Sequence, residues 1–344
     1  MSEIRYDPLH DDYVLIAPER LRRPDHFRRE RPEPPKEACP FCPGHEALAP
    51  HEIFALREPG SAPDTPGWRT RVLPNLYKAV QIEAPWESHD HGLYESWEGF
   101  GAHEVIVDTP RHLLRMDAWK PEEYHDWLLT LRARLMDLRR DLRLVHFAFF
   151  KNHGPAAGAT QPHPHTQLIA LPVVPRSQLV RLRRAHAYWR EHGHSLFDAI
   201  LEQERGEEKR LIGSRGSFLA FAPYASAHPF EVTILSGRPG AISLAELGEE
   251  EIEELSSLLQ ECLTALYREL GEFDFNLIFE TPPTQRNYAT EEFFDDLGAC
   301  WRFQLRILPR LYGLAGFEMA SPMRINPVPP EEAAALLRQK EEEE

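Results

Sequence analysis

Residues 158–172 read Gly-Ala-Thr-Gln-Pro-His-Pro-His-Thr-Gln-Leu-Ile-Ala-Leu-Pro. The apolar run Phe147-Ala148-Phe149-Phe150 precedes them. Two β-rich runs around Gly, Ala and Thr predict two strands joined by a small-residue loop. Residues two apart on a strand share a face. His163, His165 and Gln167 therefore point the same way. Two imidazoles at that spacing can bind a metal, or one can attack a substrate while the other is pinned. The plain alternative is a pair of surface histidines, since the chain has 17.

Upstream, His103-Glu104-Val105-Ile106-Val107 reads as a strand that turns at Thr109-Pro110. Pro121-Glu122-Glu123 opens a helix, with Pro tolerated in the first turn. Trp127, Leu128, Leu131, Leu135 and Leu138 recur at three and four on its apolar face. Downstream the unit recurs. Pro229 to Leu235 mirrors Ala102 to Asp108, and Glu249 to Leu270 mirrors the helix. Phe273 to Phe279 mirrors Val145 to Phe150, and Trp301 to Pro309 mirrors the strand ending at Pro172. An internal duplication explains this order. The expected architecture is α+β: two similar halves, residues 1–174 and 175–344, each a mostly antiparallel sheet with a packed helix. Ser177 to Arg205 reads as a charged connecting helix. The second copy has no histidines on the equivalent strand. One half then carries the chemistry, and the other has become scaffold or binding surface.

Composition narrows the class. The chain has 344 residues and a net charge of −16, which argues against a general nucleic-acid binder. No apolar run approaches the ~20 residues of a membrane helix, and no secretory signal is visible at the start. Four cysteines in a chain this size do not make a disulfide framework, so a reduced, cytoplasmic setting is expected. Cys39-x-x-Cys42 reads as a redox pair or as half a zinc site. His89-Asp90-His91 has metal-like spacing but lies in a charged, irregular stretch, which reads as an exposed loop.

Pro162-His163-Pro164-His165-x-Gln167 resembles the active-site signature of the galactose-1-phosphate uridylyltransferases, the transferase branch of the histidine-triad superfamily. Arg5-Tyr6-Asp7-Pro8-Leu9 with Tyr13-Val14-Leu15-Ile16, Pro18 to Pro24, Cys39-Pro40-Phe41-Cys42, Phe230-Glu231-Val232 and Gly316-Phe317-Glu318-Met319 resemble further family segments, in the family's order. The resemblance implies two histidine-triad-like halves. It also implies a nucleotidyltransferase that exchanges UMP between UDP-glucose and galactose 1-phosphate through a covalent nucleotidyl-histidine. The alternative is an ADP-glucose phosphorylase-like adenylyltransferase.

By motif, the resemblance makes His165 the nucleophile and Gln167 the donor to a phosphoryl oxygen. An imidazole is a good nucleophile near neutral pH. The hydrolase branch usually has a third histidine at the position of Gln167. Asn152 and Thr160 fall where the family holds phosphate, and Arg20 and Arg23 match its phosphate-binding arginines, whose guanidinium forks suit phosphate oxygens. Asn75 matches a uracil contact, although Leu76 stands where an acidic residue follows it. Glu318 is retained near the hexose, while Phe317 replaces a Tyr. Cys39, Cys42, His112 and His163 would complete a structural zinc site. Gln304 and Arg306 stand where some relatives have histidines for a second metal, so none is expected. The resemblance also implies a homodimer with an active site shared between chains.

Overall fold

The structure, a computed structural model, describes residues 2–20, 39–284 and 292–339. The first half supplies strands β1 (Glu3–Asp7), β2 (Asp12–Ile16), β3 (Phe54–Arg57), β4 (Trp68–Pro74), β5 (Ser88–His91), β6 (Tyr94–Trp97) and β7 (Ala102–Val107), helix α1 (Pro121–Leu138), and strands β8 (His146–His153) and β9 (His165–Leu171). The second half supplies α2 (Arg176–His192), α3 (Leu196–Glu207), β10 (Leu211–Arg215), β11 (Phe218–Phe221), β12 (Val232–Ser236), α4 (Glu249–Leu270), β13 (Phe275–Glu280), α5 (Leu297–Cys300), β14 (Gln304–Pro309), α6 (Gly316–Ala320), β15 (Arg324–Asn326) and α7 (Pro330–Arg338).

The protein is α+β, with its two halves joined in one ten-stranded sheet of order β10-β11-β12-β14-β13-β8-β9-β7-β4-β3. That order is palindromic in role. β8, β9 and β7 on one side of the seam repeat as β13, β14 and β12 on the other. At the seam β8 and β13 pair antiparallel, with Lys151 opposite Leu277. The matching helices α1 and α4 pack against each other across one face. Trp127, Leu128, Leu131 and Leu135 of α1 share a single core cluster with Leu255, Leu259, Leu263 and Leu266 of α4 and with Phe147, Phe149, Leu277 and Phe279 of the sheet. Each helix begins where its sequence dictates. The Glu123 carboxylate accepts the Lys120 N–H at 2.7 Å, and the Glu251 carboxylate accepts the Gly248 N–H at 2.9 Å, so each closes an otherwise open first turn.

The glutamates at 104 and 231 tempt an alignment of the two copies, but they lie on opposite faces. Glu104 reaches the helix layer and pairs with Arg134 of α1. Glu231 pairs with Arg306 on the other face. That second face is covered in the second half by α2, α3 and the small sheet β1-β2-β15. The connecting segment is two helices, because Gly193 takes a left-handed conformation (φ 76°) and Ser195 caps α3 through the Asp198 N–H. His89-Asp90-His91 lies on β5, in a fully exposed two-stranded hairpin with β6.

Candidate active site and metal centre

β9 carries the central residues, and its orientation is set from the helix layer. Thr166 is buried and its Oγ1 accepts the Trp127 indole N–H at 2.9 Å. With Thr166 turned toward α1, alternation puts His165 and Gln167 on the opposite face. The ladder carries that face across the sheet: Gln167 lies opposite Phe150, Phe150 opposite Ile278, and Ile278 opposite Arg306.

His163 Nε2–H donates to the Thr109 carbonyl at 2.8 Å, which leaves Nδ1 as a lone pair. That Nδ1 lies 3.7 Å from Cys39 Sγ and 3.6 Å from Cys42 Sγ. His112 Nδ1 lies 3.3 Å from Cys42 Sγ. The four ligand atoms all fall within 4.8 Å of one another. A tetrahedral zinc with Zn–S about 2.3 Å and Zn–N about 2.0 Å needs sulfur–nitrogen edges of about 3.6 Å. The donor set and its spacing therefore fit zinc. The Thr109 carbonyl is the outer partner that fixes the imidazole's tautomer. Burial pulls the His163 imidazole down to about 4, which keeps it neutral.

Two residues on, His165 Nδ1–H donates to the His163 carbonyl at 2.9 Å. Its Nε2 keeps the lone pair. Burial, assisted by the Lys151 ammonium, lowers the His165 pKa. Phe41, between the two cysteines, sets its ring 5.8 Å from the His165 ring. His165 opens with Asn152, Thr160, Gln161, Pro162 and Gly154 onto a cleft of about 260 Å³.

The loop between β8 and β9 is shaped by two left-handed glycines, Gly154 (φ 83°) and Gly158 (φ 90°), a conformation that favours glycine. It is held from the second half. Asn276 Nδ2 donates to Asn152 Oδ1 at 2.9 Å and to the Ala157 carbonyl at 3.0 Å, and the Asp274 carboxylate accepts the Ala156 N–H at 2.6 Å.

Three features escape a reading of the sequence. Lys151 and Asp108 form an ion pair at 2.6 Å with both side chains almost wholly buried. Lys151 also donates to the His165 carbonyl at 3.3 Å. Asn276 and Asp274 are drawn in by the β8–β13 pairing. His103 lies between Gln167 and Asn75: the Ala79 N–H donates to His103 Nδ1 at 3.0 Å, and His103 Nε2 lies 3.1 Å from Gln167 Oε1 and 2.9 Å from the Asn75 amide nitrogen, which donates to Gln167 Oε1 at 3.5 Å. Of these, only the His103 link was open to inference, from the alternation on β7.

The structure thus gathers His165, Asn152 and Thr160 at the cleft, Gln167 with Asn75 beside it, and Cys39, Cys42, His112 and His163 behind it. Arg20 ends an exposed 3-10 turn over Pro18–Arg20. Arg23 lies outside the described residues. Phe317 and Glu318 sit on α6, where Glu318 accepts the Ala315 N–H at 3.1 Å, and they are not among the cleft residues.

Known proteins match this arrangement along the whole chain. A family profile described as "Galactose-1-phosphate uridyl transferase, N-terminal domain" matches residues 1–175. The ADP-glucose phosphorylase of Arabidopsis thaliana is 29% identical over 346 residues, covering 98% of this chain and 92% of that protein. The galactose-1-phosphate uridylyltransferase of Thermotoga maritima is 28% identical over 354 residues, with the full length of both covered. The crystal structure of the Arabidopsis ADP-glucose phosphorylase with bound ADP-glucose superposes with a TM-score of 0.80 at 27% identity, over 99% of each chain. With the profile spanning half of its length and full-length relatives on either side of it, the chain belongs to the galactose-1-phosphate uridylyltransferase family.

Proposed function

We propose that the protein is a nucleotidyltransferase that moves UMP between UDP-glucose and galactose 1-phosphate by double displacement at His165. The observation that carries this reading is the orientation of that ring. With Nδ1–H committed to the His163 carbonyl, Nε2 is the one nitrogen with a lone pair for the cleft. Nε2 attacks the α-phosphorus, a phosphorus–nitrogen bond forms, and the phosphorus–oxygen bond to the departing glucose 1-phosphate breaks. Galactose 1-phosphate then attacks the same phosphorus through a phosphate oxygen, and the phosphorus–nitrogen bond breaks. Asn152, Thr160 and Gln167 supply hydrogen bonds to the phosphoryl oxygens as their charge shifts. Arg20 and Arg23 hold the outer phosphates, Asn75 meets the base, and Phe317 with Glu318 meets the hexose. Burial keeps His165 neutral and therefore nucleophilic.

Cys39, Cys42, His112 and His163 would hold zinc, whose contribution is a structural cross-link that fixes the loop of residues 39–42 against β9. The chain divides in this reading into a catalytic half, 1–174, and a substrate-binding half, 175–344. It acts as a cytoplasmic homodimer, with galactose metabolism as its setting. Transferase chemistry on nucleotide sugars has support from relatives of both names.

A second reading has its own support in the ADP-glucose phosphorylase relative. There the donor is ADP-glucose and the attacking group is inorganic phosphate. Steady-state turnover with each donor and acceptor pair separates the two. UDP-glucose with galactose 1-phosphate should turn over at least about tenfold faster than ADP-glucose with phosphate. The reverse order would transfer the assignment to the second reading, and no turnover with either pair would refute both.

A further inference from the structure

We infer that Asn276, a residue of the second half, is a positioning residue for the transfer step: it turns the Asn152 amide so that the NH2 group, and not the oxygen, meets the phosphoryl group. The role rests on the double displacement at His165. β13 pairs with β8, and Asn276 stands directly opposite Asn152. Its neighbours Phe275 and Leu277 are buried in the core beneath the helices, so alternation puts Asn276 on the cleft face.

A side-chain amide has one end that donates and one that accepts, and its partners decide which points where. Here the partners start from an atom with no choice. The Ala157 carbonyl can only accept, and the Asn276 side chain meets it at 3.0 Å. The atom facing it is therefore the NH2 nitrogen, Nδ2. The other hydrogen of that NH2 group goes to Asn152 at 2.9 Å, which must present Oδ1. Asn152 Nδ2 is the end left over. It lies against the open side of Gly158, where a Cβ would come within 3.7 Å of it, and Asn152 lines the cleft with Thr160 and His165. A phosphoryl oxygen that gains negative charge needs a hydrogen-bond donor at that place, and an amide turned the other way would offer it a lone pair instead. Asp274 completes the arrangement by accepting the Ala156 N–H at 2.6 Å. The second half thus meets both an N–H and a carbonyl of the β8–β9 loop, and it sets the polarity of a site whose nucleophile belongs to the first half.

Single-turnover formation of the nucleotidyl adduct, followed by mass spectrometry with UDP-glucose and with ADP-glucose, tests this. The proteins are wild type, Asn276→Asp, Asn152→Ala and the double variant. Asn276→Asp keeps the shape but replaces the hydrogen-bond donor with an oxygen, which draws the Asn152 NH2 group away from the cleft. Adduct formation should slow at least about tenfold, short of the roughly 10²–10³ that outright loss of such a donor costs. The nucleotide-sugar concentration giving half the maximal rate should change less than about threefold. In the Asn152→Ala background the same change should slow the reaction less than about twofold, because a residue that acts through Asn152 then has nothing left to orient. Asn276→Leu should give the same pattern, and it decides alone if Asn276→Asp does not fold. A folded Asn276 variant with an unchanged rate would overturn the proposal. So would an equal slowing in both backgrounds, which would make Asn276 a tether of the loop and nothing more. No adduct in wild type with either nucleotide sugar would refute the transfer reading and this role with it, whereas a wild-type adduct indifferent to Asn276 would sink this role alone.

Discussion

At His165 the side chain's two nitrogens have different fates because of one backbone carbonyl two residues earlier. The residue beneath that strand matters as much. Lys151 holds the His165 carbonyl while neutralising Asp108 in a pocket that excludes water. Removing one partner of a buried pair strands the other charge, at a cost of about 3–5 kcal/mol. Lys151→Met should therefore lower unfolding free energy by that amount in urea titrations, and Lys151→Met/Asp108→Asn should recover part of it. A single variant within about 0.5 kcal/mol of wild type would show that the pair contributes nothing net. The sequence does not announce this pair, since a lysine and an aspartate 43 residues apart carry no mutual signature. The histidines do, because proline-flanked alternation on a strand has few other uses.

Among elements, the loop holding Cys39 and Cys42 meets the chain entering β9 through His163, which a metal would join to both cysteines, and through Phe41, whose ring lies 5.8 Å from that of His165. The donor types were legible in the sequence and the completing pair came from family order; the structure brings the four ligand atoms within 4.8 Å of one another. Purified protein should contain about one zinc per chain, and Cys39→Ser or Cys42→Ser should lose it, with a lower melting temperature. Wild type without metal, or a serine variant that keeps full zinc content, would refute the site. The strands and long helices were legible because period two and period 3.6 are strong signals; α1 and α4 run over Pro121–Leu138 and Glu249–Leu270. The break at Gly193 between α2 and α3 was missed because the charged composition continues through it. The short helix α6 was missed because Gly316 opens it. The reach of Asn276 to Asn152 across 124 residues is a product of sheet pairing and has no local signal.

For the molecule as a whole, apolar packing joins the halves on one face of the sheet, and on the other a buried charge cluster within the second half sits beside the seam strand β13. Glu280 of β13 meets Arg181 of α2 at 2.7 Å and lies 3.7 Å from Arg306 of β14. Burial disfavours its charged form, but the two guanidinium groups and His10 prevail and hold its carboxyl at about 2. An unfolded glutamate titrates near 4.3. The pair's contribution is complete above that value and is lost as pH falls toward 2, an amount on the order of 3 kcal/mol. Acid unfolding of wild type should steepen in that window, and Glu280→Gln should flatten the slope; equal slopes would remove Glu280 as the cause. The proposed shared active site has its own check. Inactive His165→Gly and inactive Arg23→Ala chains, once exchanged, should regain partial activity in mixed dimers. Exchange without recovery would confine each site to one chain.

The account rests on a covalent nucleotidyl group at His165 Nε2. Mass spectrometry of the protein after mixing with UDP-glucose alone, followed by peptide mapping, tests it directly. The account predicts one uridylyl group per chain, on His165, discharged by galactose 1-phosphate and absent in a folded His165→Gly variant. Turnover without any adduct, or an adduct on another residue, would contradict it.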